Sequence, residues 1–457
     1  MVMLRLALLV EAVGVALFLV PASGPASSAP ARVVPAAPAS ALPQLGIVSS
    51  LRGQGAERVS LVRIDPRTLR VRPGPRLGLG DLSFEAWSFS RDGTRLAFAG
   101  VDIFANFSTP SVRIVDSRRL RLLGRVRVTE SGWVRATGWL PDGRRLVAIV
   151  QVYLPEVQTE VVTIDAVGGK VLDRQAFPGQ VLRIARTRDH LVVLLSSPES
   201  LEPARLTIVG PTGSARMVVV SRITAGYEQR SGSEGRVVQR EPALAVDFEG
   251  RRAFVVATDG EIAQVALRTG AISYQRPSRR VSFLGRVHAW LEPVAEAKLA
   301  REGSTRTARW LGRGLIAVSG GEYAVVSSGN RPRSRFTAAG LRLIDTRRWT
   351  VRKLGEGTDT FWHVGDLLLA ADNTWGGYEL EVSPRPPGLV VYGQDGRERL
   401  RLYAGKRVGV VYANARRAFV SVERRIDVID LPSGRVVERR ASVAYPLVPP
   451  GPVSENQ

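Results

Sequence analysis

Between residues 46 and 448 the chain is a succession of short apolar runs separated by turn residues, and the runs read as β-strands. Two stretches are nearly superimposable. Ala86-Trp87-Ser88-Phe89-Ser90-Arg91-Asp92-Gly93-Thr94-Arg95-Leu96-Ala97-Phe98 and Ala136-Thr137-Gly138-Trp139-Leu140-Pro141-Asp142-Gly143-Arg144-Arg145-Leu146-Val147-Ala148 each set a strand, an Asp-Gly turn and a second strand in the same order. Asp-Gly between strands predicts a hairpin, because glycine adopts the positive φ that a tight turn requires.

A second recurrence follows each of these pairs. Val59-Ser60-Leu61-Val62-Arg63-Ile64-Asp65, Val112-Arg113-Ile114-Val115-Asp116, Val161-Val162-Thr163-Ile164-Asp165, Leu341-Arg342-Leu343-Ile344-Asp345 and Ile426-Asp427-Val428-Ile429-Asp430 are strands ending in aspartate, and another strand begins shortly after each, at Leu69, Leu120, Val171, Trp349 and Val436. A carboxylate there can accept backbone N–H groups of the turn, which explains the aspartates without catalysis. Joining the halves gives a four-strand unit that begins near residues 85, 134, 181, 242, 307, 360 and 407. Residues 46–75 add three strands without a first, and 442–448 add one strand without followers. The expectation is an all-β, single β-propeller of four-stranded antiparallel blades, eight by this count with seven as the alternative, its ring closed by strands from both termini.

The Phe89-Ser90-Arg91-Asp92-Gly93 to Phe98 and Trp139-Leu140-Pro141-Asp142-Gly143 to Ala148 stretches resemble the TolB-type WD40-like repeat, and the strand-Asp-turn-strand halves resemble YVTN (YncE-like) propellers. Arg91 stands where that repeat carries proline, and the later units lack the Asp-Gly turn. The resemblance covers most of 46–448 and implies a propeller whose families mainly bind proteins or ligands without one shared chemistry.

Composition changes this picture little. The formal net charge is +22; four lysines among 64 basic residues leave 60 arginines, placed singly or in pairs at turns such as Arg118-Arg119, Arg144-Arg145, Arg347-Arg348 and Arg416-Arg417. No helix-turn-helix, zinc-finger or aromatic RNA-binding pattern accompanies them, so no nucleic-acid partner is expected and the arginines read as a solvated surface. Attachment to an anionic envelope polymer through that surface is a third reading, and it predicts salt-sensitive binding. Cysteine is absent, which excludes disulfides, thiolate metal sites and a lipid-anchored cysteine.

Arg5, the apolar run 6–20 and Val20-Pro21-Ala22 have the form of a signal peptide over 1–22, with Glu11 as a departure and an uncleaved anchor as the alternative. Residues 23–43 are an Ala/Pro/Ser-rich linker, 44–448 the propeller and 449–457 a C-terminal tail. The protein is therefore expected to be exported, whether secreted, periplasmic or wall-associated, with no stable membrane insertion after cleavage.

Within the units, the first-to-second and third-to-fourth connections are tight, whereas 101–110, 151–160, 196–205, 319–340 and 371–388, with the blade connections 221–241 and 277–307, read as long irregular loops on the opposite face. A short helix is expected at 294–301. The loops between second and third strands carry nine carboxylates (Asp102, Glu156, Glu160, Glu199, Glu202, Glu322, Asp372, Glu379, Glu381) against five arginines (Arg205, Arg331, Arg333, Arg335, Arg385), interleaved with Phe104, Phe107, Tyr153, Tyr323, Trp375 and Tyr378. Aromatics beside carboxylates suit a sugar or cationic ligand, and calcium is a candidate cofactor. Asp102, Tyr153, Glu156, Glu322, Tyr323, Asp372, Asn373, Trp375 and Tyr378 are the candidate ligand-binding residues. The densest stretch, Ala371-Asp372-Asn373-Thr374-Trp375-Gly376-Gly377-Tyr378-Glu379, has no calcium-loop spacing.

His190, His288 and His363 show no metal-ligand spacing, and neither a Gly-x-Ser-x-Gly elbow nor a phosphate-cradling loop occurs. Trp139, Trp310 and Trp362 fall on matching first-strand positions and read as inter-blade packing. The favoured reading is a non-catalytic binding or scaffold propeller presenting its looped face to a protein or cell-envelope glycan. The alternative is a propeller enzyme, a lactone hydrolase or lyase, with carboxylates and a divalent cation converging in the central funnel.

Overall fold

The computed structural model describes residues 44–51, 57–80, 82–102, 110–153, 155–187, 189–229, 237–247, 249–279, 303–328, 331–372, 386–423 and 425–447. The leader, the linker, the tail, the helix expected at 294–301, and His288, Asn373, Trp375 and Tyr378 lie outside the described residues. Every regular element among the described residues is a strand, and no helix there is long and apolar enough to cross a membrane.

The strands form antiparallel four-stranded blades of a β-propeller. Five of them follow chain order: Leu82–Phe89 to Arg121–Arg127, Trp133–Trp139 to Lys170–Pro178, Ala243–Val246 to Ile272–Gln275, Thr360–Val364 to Glu398–Leu402, and Val408–Ala413 to Arg435–Arg440. In a sixth, Tyr445–Leu447 pairs with Leu45–Leu51, followed by Glu57–Arg63 and Leu77–Gly80. The separate blades thus number six, not the eight or seven that the repeat count predicts. The remaining strands merge into one eleven-stranded sheet. The cause is visible in Ala215–Gln229, which runs beyond a blade's fourth strand. Its far half pairs with Val237–Glu241, which pairs in parallel with Gly303–Gly312. Backbone hydrogen bonding therefore continues where the sequence suggests an irregular connection. The 319–340 segment is corrected in the same way: Leu315–Ser328 and Arg331–Ala338 pair as a hairpin.

Local chemistry accounts for the tight ends. Gly93 and Gly143 take φ of +68° and +66° in the two Asp-Gly turns, the left-handed region that glycine enters without steric cost. At the other tight connection Asp116 Oδ1 accepts the N–H groups of Arg118 and Arg119 at 2.9 Å, and Asp345 Oδ1 accepts those of Arg347 and Arg348 at 2.8 and 3.2 Å. The residue that follows, Leu120 or Trp349, sits at φ near +52°, and a bulge between Ile114 and Val115 offsets the next strand. The bulge leaves Leu123 unpaired between Leu122 and Gly124, on an outer strand where both leucines are exposed.

Burial grades outward across a blade. Leu191–Ser196, a second strand, is buried at every position, whereas Lys170–Pro178, a fourth strand, is almost wholly exposed or half-buried. A second strand has sheet neighbours on both edges and other blades on both faces, so it reads as a continuous apolar run rather than an alternation. The core lies between sheets: Val112, Ile114 and Val126 of one blade pack with Leu146, Ala148 and Val162 of the next.

Register also defines a recurring inter-blade position near the end of five first strands. Phe89, Trp139, Arg186, Trp310 and His363 pair with Leu96, Leu146, Leu191, Ile316 and Leu368 respectively. Trp139 Nε1 donates to Ser88 O at 3.0 Å, and Trp310 stacks on Phe254 at 5.2 Å. Trp362, expected here, precedes the position by one residue, and His363 occupies it.

Candidate functional site

Antiparallel order puts the starts of first strands and the ends of second strands at the looped end of the sheets. Three segments converge there. A parallel register sets Glu241 opposite Thr305, and the neighbouring hairpin sets Ser304 opposite Glu322. Arg183, at a register break in Gln180–Arg186, reaches across to both segments. Its Nη2 donates to Glu241 Oε2 at 2.9 Å and Thr305 Oγ1 at 2.7 Å, while the Thr305 hydroxyl donates to the same carboxylate oxygen at 2.9 Å. Arg306 Nη1 donates to Gly321 O at 3.0 Å, and its Nη2 to Thr258 O at 3.1 Å and Glu322 Oε1 at 3.2 Å.

Glycine makes this geometry possible at two adjacent positions. A side chain on Gly320, at φ +136°, would place Cβ 2.1 Å from Thr305 O, and one on Gly321 would lie 2.0 Å from the Phe336 ring. The strand can therefore press against Thr305 while Phe336 closes over it. Arg306 is buried, with a side chain 7% exposed, whereas Glu241 and Glu322 keep 22% and 26%. The arrangement alternates fixed donors and acceptors at the looped end of these strands. Such a set suits hydroxyl groups, which donate and accept at once.

The sequence-derived candidates distribute over separate sheets. Glu322 joins this network through Arg306. Tyr153 lies at the looped end of another blade, 40% exposed, its ring edge-on to Trp133 at 5.9 Å. Glu156 is exposed in the same loop. Asp372 is buried just after Leu367–Ala371, where Asp359 N donates to Ala371 O at 3.3 Å. Asp102 and Tyr323 end or continue strands, with backbones paired to Leu82 and Gly303; their side chains, with Asn373, Trp375 and Tyr378, lie outside the described residues. Among the described residues no three or more His, Asp or Glu side chains gather into a group able to hold a metal ion.

Arg183, Glu241, Thr305 and Arg306 were not legible as a site, because two arginines among sixty give no signal. The Ser319-Gly320-Gly321-Glu322 run was the available clue. Two buried cations lie elsewhere on first strands: burial lowers Arg186 and Arg309 to about 10. Burial, reinforced by the charge of Arg309, lowers His363 to about 3, so its imidazole is neutral at ordinary pH.

No protein-family model matches the chain, and no curated protein does. Solved structures with a similar course include the computationally designed Ika8 protein, with a TM-score of 0.44 at 10% identity, covering 80% of this chain and 90% of that one. The periplasmic gluconolactonase of Pseudomonas aeruginosa gives 0.41 at 13%, covering 80% and 96%. The β-propeller domain of the trilobed protease of Pyrococcus furiosus gives 0.37 at 12%, covering 78% and 92%. The strand order, rather than these distant likenesses, carries the fold.

Proposed function

We propose that this is an exported, non-catalytic binding propeller whose looped end takes a hydroxyl-rich ligand of the cell envelope. One observation carries the reading: Arg183, Glu241, Thr305, Arg306 and Glu322 form a network of alternating donors and acceptors, carried on first strands, the paired strand Val237–Glu241 and a hairpin. Pre-organisation of this kind lowers the ordering cost of binding. The exposed Tyr153 ring against Trp133 supplies a face on which a sugar could stack. The arginine-led ion pairs satisfy each other, which favours recognition over a reacting nucleophile or a metal.

The same reading takes the ring as eight-bladed and closed. Within the eleven-stranded sheet, Gln180–Arg186 to Ala215–Gln229 and Gly303–Gly312, Leu315–Ser328, Leu341–Asp345, Thr350–Gly355 each repeat the antiparallel order of a blade. The pairing of Leu45 with Leu447 would close the circle. A TolB-type or YVTN kinship fits the Asp-Gly and strand-Asp halves, and export fits the form of residues 1–22.

The test is calorimetric titration of the full chain with soluble cell-wall glycan fragments. Wild type should bind at least one of them, and the Glu241→Gln/Glu322→Gln variant should bind about tenfold more weakly with an unchanged circular dichroism spectrum. Failure of every fragment to bind sinks the glycan reading. A stoichiometric divalent cation in the purified protein, with chelator-sensitive lactone hydrolysis, would replace it by the enzyme.

A further inference from the structure

The two ends of the sheets use their acidic residues differently. At the looped end glutamates such as Glu241, Glu261 and Glu322 meet arginine side chains. At the tight-turn end carboxylates also pair with arginine side chains, as Asp142 does with Arg145 and Asp65 with Arg72, but one oxygen of each is turned onto the backbone. Asp65 Oδ1 accepts N–H from Arg67 and Thr68, Asp116 from Arg118 and Arg119, Asp142 from Arg144 and Arg145, and Asp345 from Arg347 and Arg348. Asn414 Oδ1 does the same for Arg416 and Arg417. An acceptor at one position thus fixes the backbone of arginines two and three residues on. Arg118, Arg119, Arg144, Arg347, Arg348 and Arg416 are exposed.

These turns share one end of the molecule. Arg145 Nη1 donates to Thr212 O at 3.1 Å, Arg417 Nη1 to Arg67 O at 3.3 Å, and Arg352 Nη1 to Asp395 O at 2.5 Å, each linking a turn to that of a neighbouring blade. Both chain ends leave there too. Gln44 O accepts Ile64 N at 2.9 Å beside the Asp65 turn, and Leu447 pairs with Leu45.

We propose that the tight-turn end is a docking surface for anionic phospholipid headgroups, gripped by the arginine pairs of successive blades. Guanidinium groups bind phosphate bidentately. The pairs lie on different sheets around the end, so a flat lipid surface meets all of them, whereas a linear polyanion would cross only some. Docking through this end leaves the looped end facing away from the membrane and free to bind. The inference stands independently of the glycan reading.

Vesicle co-sedimentation of the full chain provides the test. Neutral phosphatidylcholine vesicles measure any contribution of residues 6–20, and phosphatidylcholine/phosphatidylglycerol vesicles add the charge. Wild type should partition at least about tenfold better onto the anionic vesicles, and raised salt should abolish that excess. The Arg118→Glu/Arg119→Glu/Arg347→Glu/Arg348→Glu variant should lose the excess. An equally charged control, Arg127→Glu/Arg276→Glu/Arg401→Glu/Arg439→Glu, should keep it. The milder Arg347→Gln/Arg348→Gln variant, expected to show a partial loss, guards against misfolding of the first. Equal losses in variant and control would reduce the effect to net charge and overturn the proposal. So would equal binding to neutral vesicles, or displacement by soluble polyphosphate at matched phosphate concentration, which would assign the surface to a polymer.

Discussion

His363 shows how one buried side chain can set the acid response of the fold. It is 3% exposed, with burial and then the Arg309 charge holding its imidazole down to about 3 against an ordinary 6.5. The unfolded chain takes up a proton near 6.5 that the folded chain refuses. Stability from this group is therefore complete above that value and is lost as pH falls towards the folded one, by about 1.4 kcal/mol per pH unit. Between pH 6.5 and 4.5 the urea-unfolding free energy of wild type should fall by about 2 kcal/mol more than that of His363→Gln. Parallel pH profiles for the two proteins would refute the assignment. His190, also lowered by burial, adds to the slope of both proteins equally. The turn carboxylates act lower: the Arg119 N–H bond lowers Asp116, and the Gly168 and Val167 N–H groups lower Asp165. Their contribution is present above the ordinary carboxylate value and is lost as pH falls below it, beneath the pH 6.5 to 4.5 interval of the histidine test.

Elements set the spacing at the candidate site, and the hairpin of Leu315–Ser328 with Arg331–Ala338 is the clearest case. Gly321 has no room for a methyl group because Phe336, itself buried, lies across it. Gly321→Ala should cost about 2–3 kcal/mol in unfolding free energy by displacing that ring. The Gly321→Ala/Phe336→Ala pair should cost clearly less than the sum of the two single changes, because the second change removes the obstacle met by the first. Additive losses in denaturant titrations would show that the two positions do not compete for the same space. This hairpin also marks the limit of what was legible in the chain. Asp92-Gly93 and Asp142-Gly143 announced their turns through the φ that glycine permits, and the terminal aspartates announced theirs through the N–H groups they accept. Nothing local in Ser319-Gly320-Gly321-Glu322 says whether a strand continues or stops, because that depends on a partner strand found only after folding. Ala215–Gln229 was misjudged for the same reason, and with it the number of separate sheets.

At the scale of the whole molecule the chain ends carry a testable load. Tyr445–Leu447 gives one edge of Leu45–Leu51 its hydrogen bonds, and Leu447 and Ala444 are buried beside Leu45, Ile47 and Ile64. Residues 442–448 stood out in the sequence as a strand without followers, and 46–75 as strands without a first; their pairing could be inferred because each supplied what the other lacked. The site offered no such complement, since Arg183, Glu241 and Arg306 acquire meaning only when separate strands meet. Deleting 442–448 would leave one edge of Leu45–Ile47 without a strand partner, the other edge keeping Leu61–Arg63, and would uncover apolar side chains at both ends of the chain. Removing Leu447 alone withdraws a fully buried leucine, a loss of about 2–5 kcal/mol by the measure of core truncations. The truncated protein should melt at lower temperature, with faster amide exchange in Leu45–Leu51 and in Val408–Ala413, while Val161 and Val193, remote in the fold, exchange as before. Unchanged exchange in Leu45–Leu51 would mean that the two chain ends fold independently, and closure of the ring through their pairing would fall with that result.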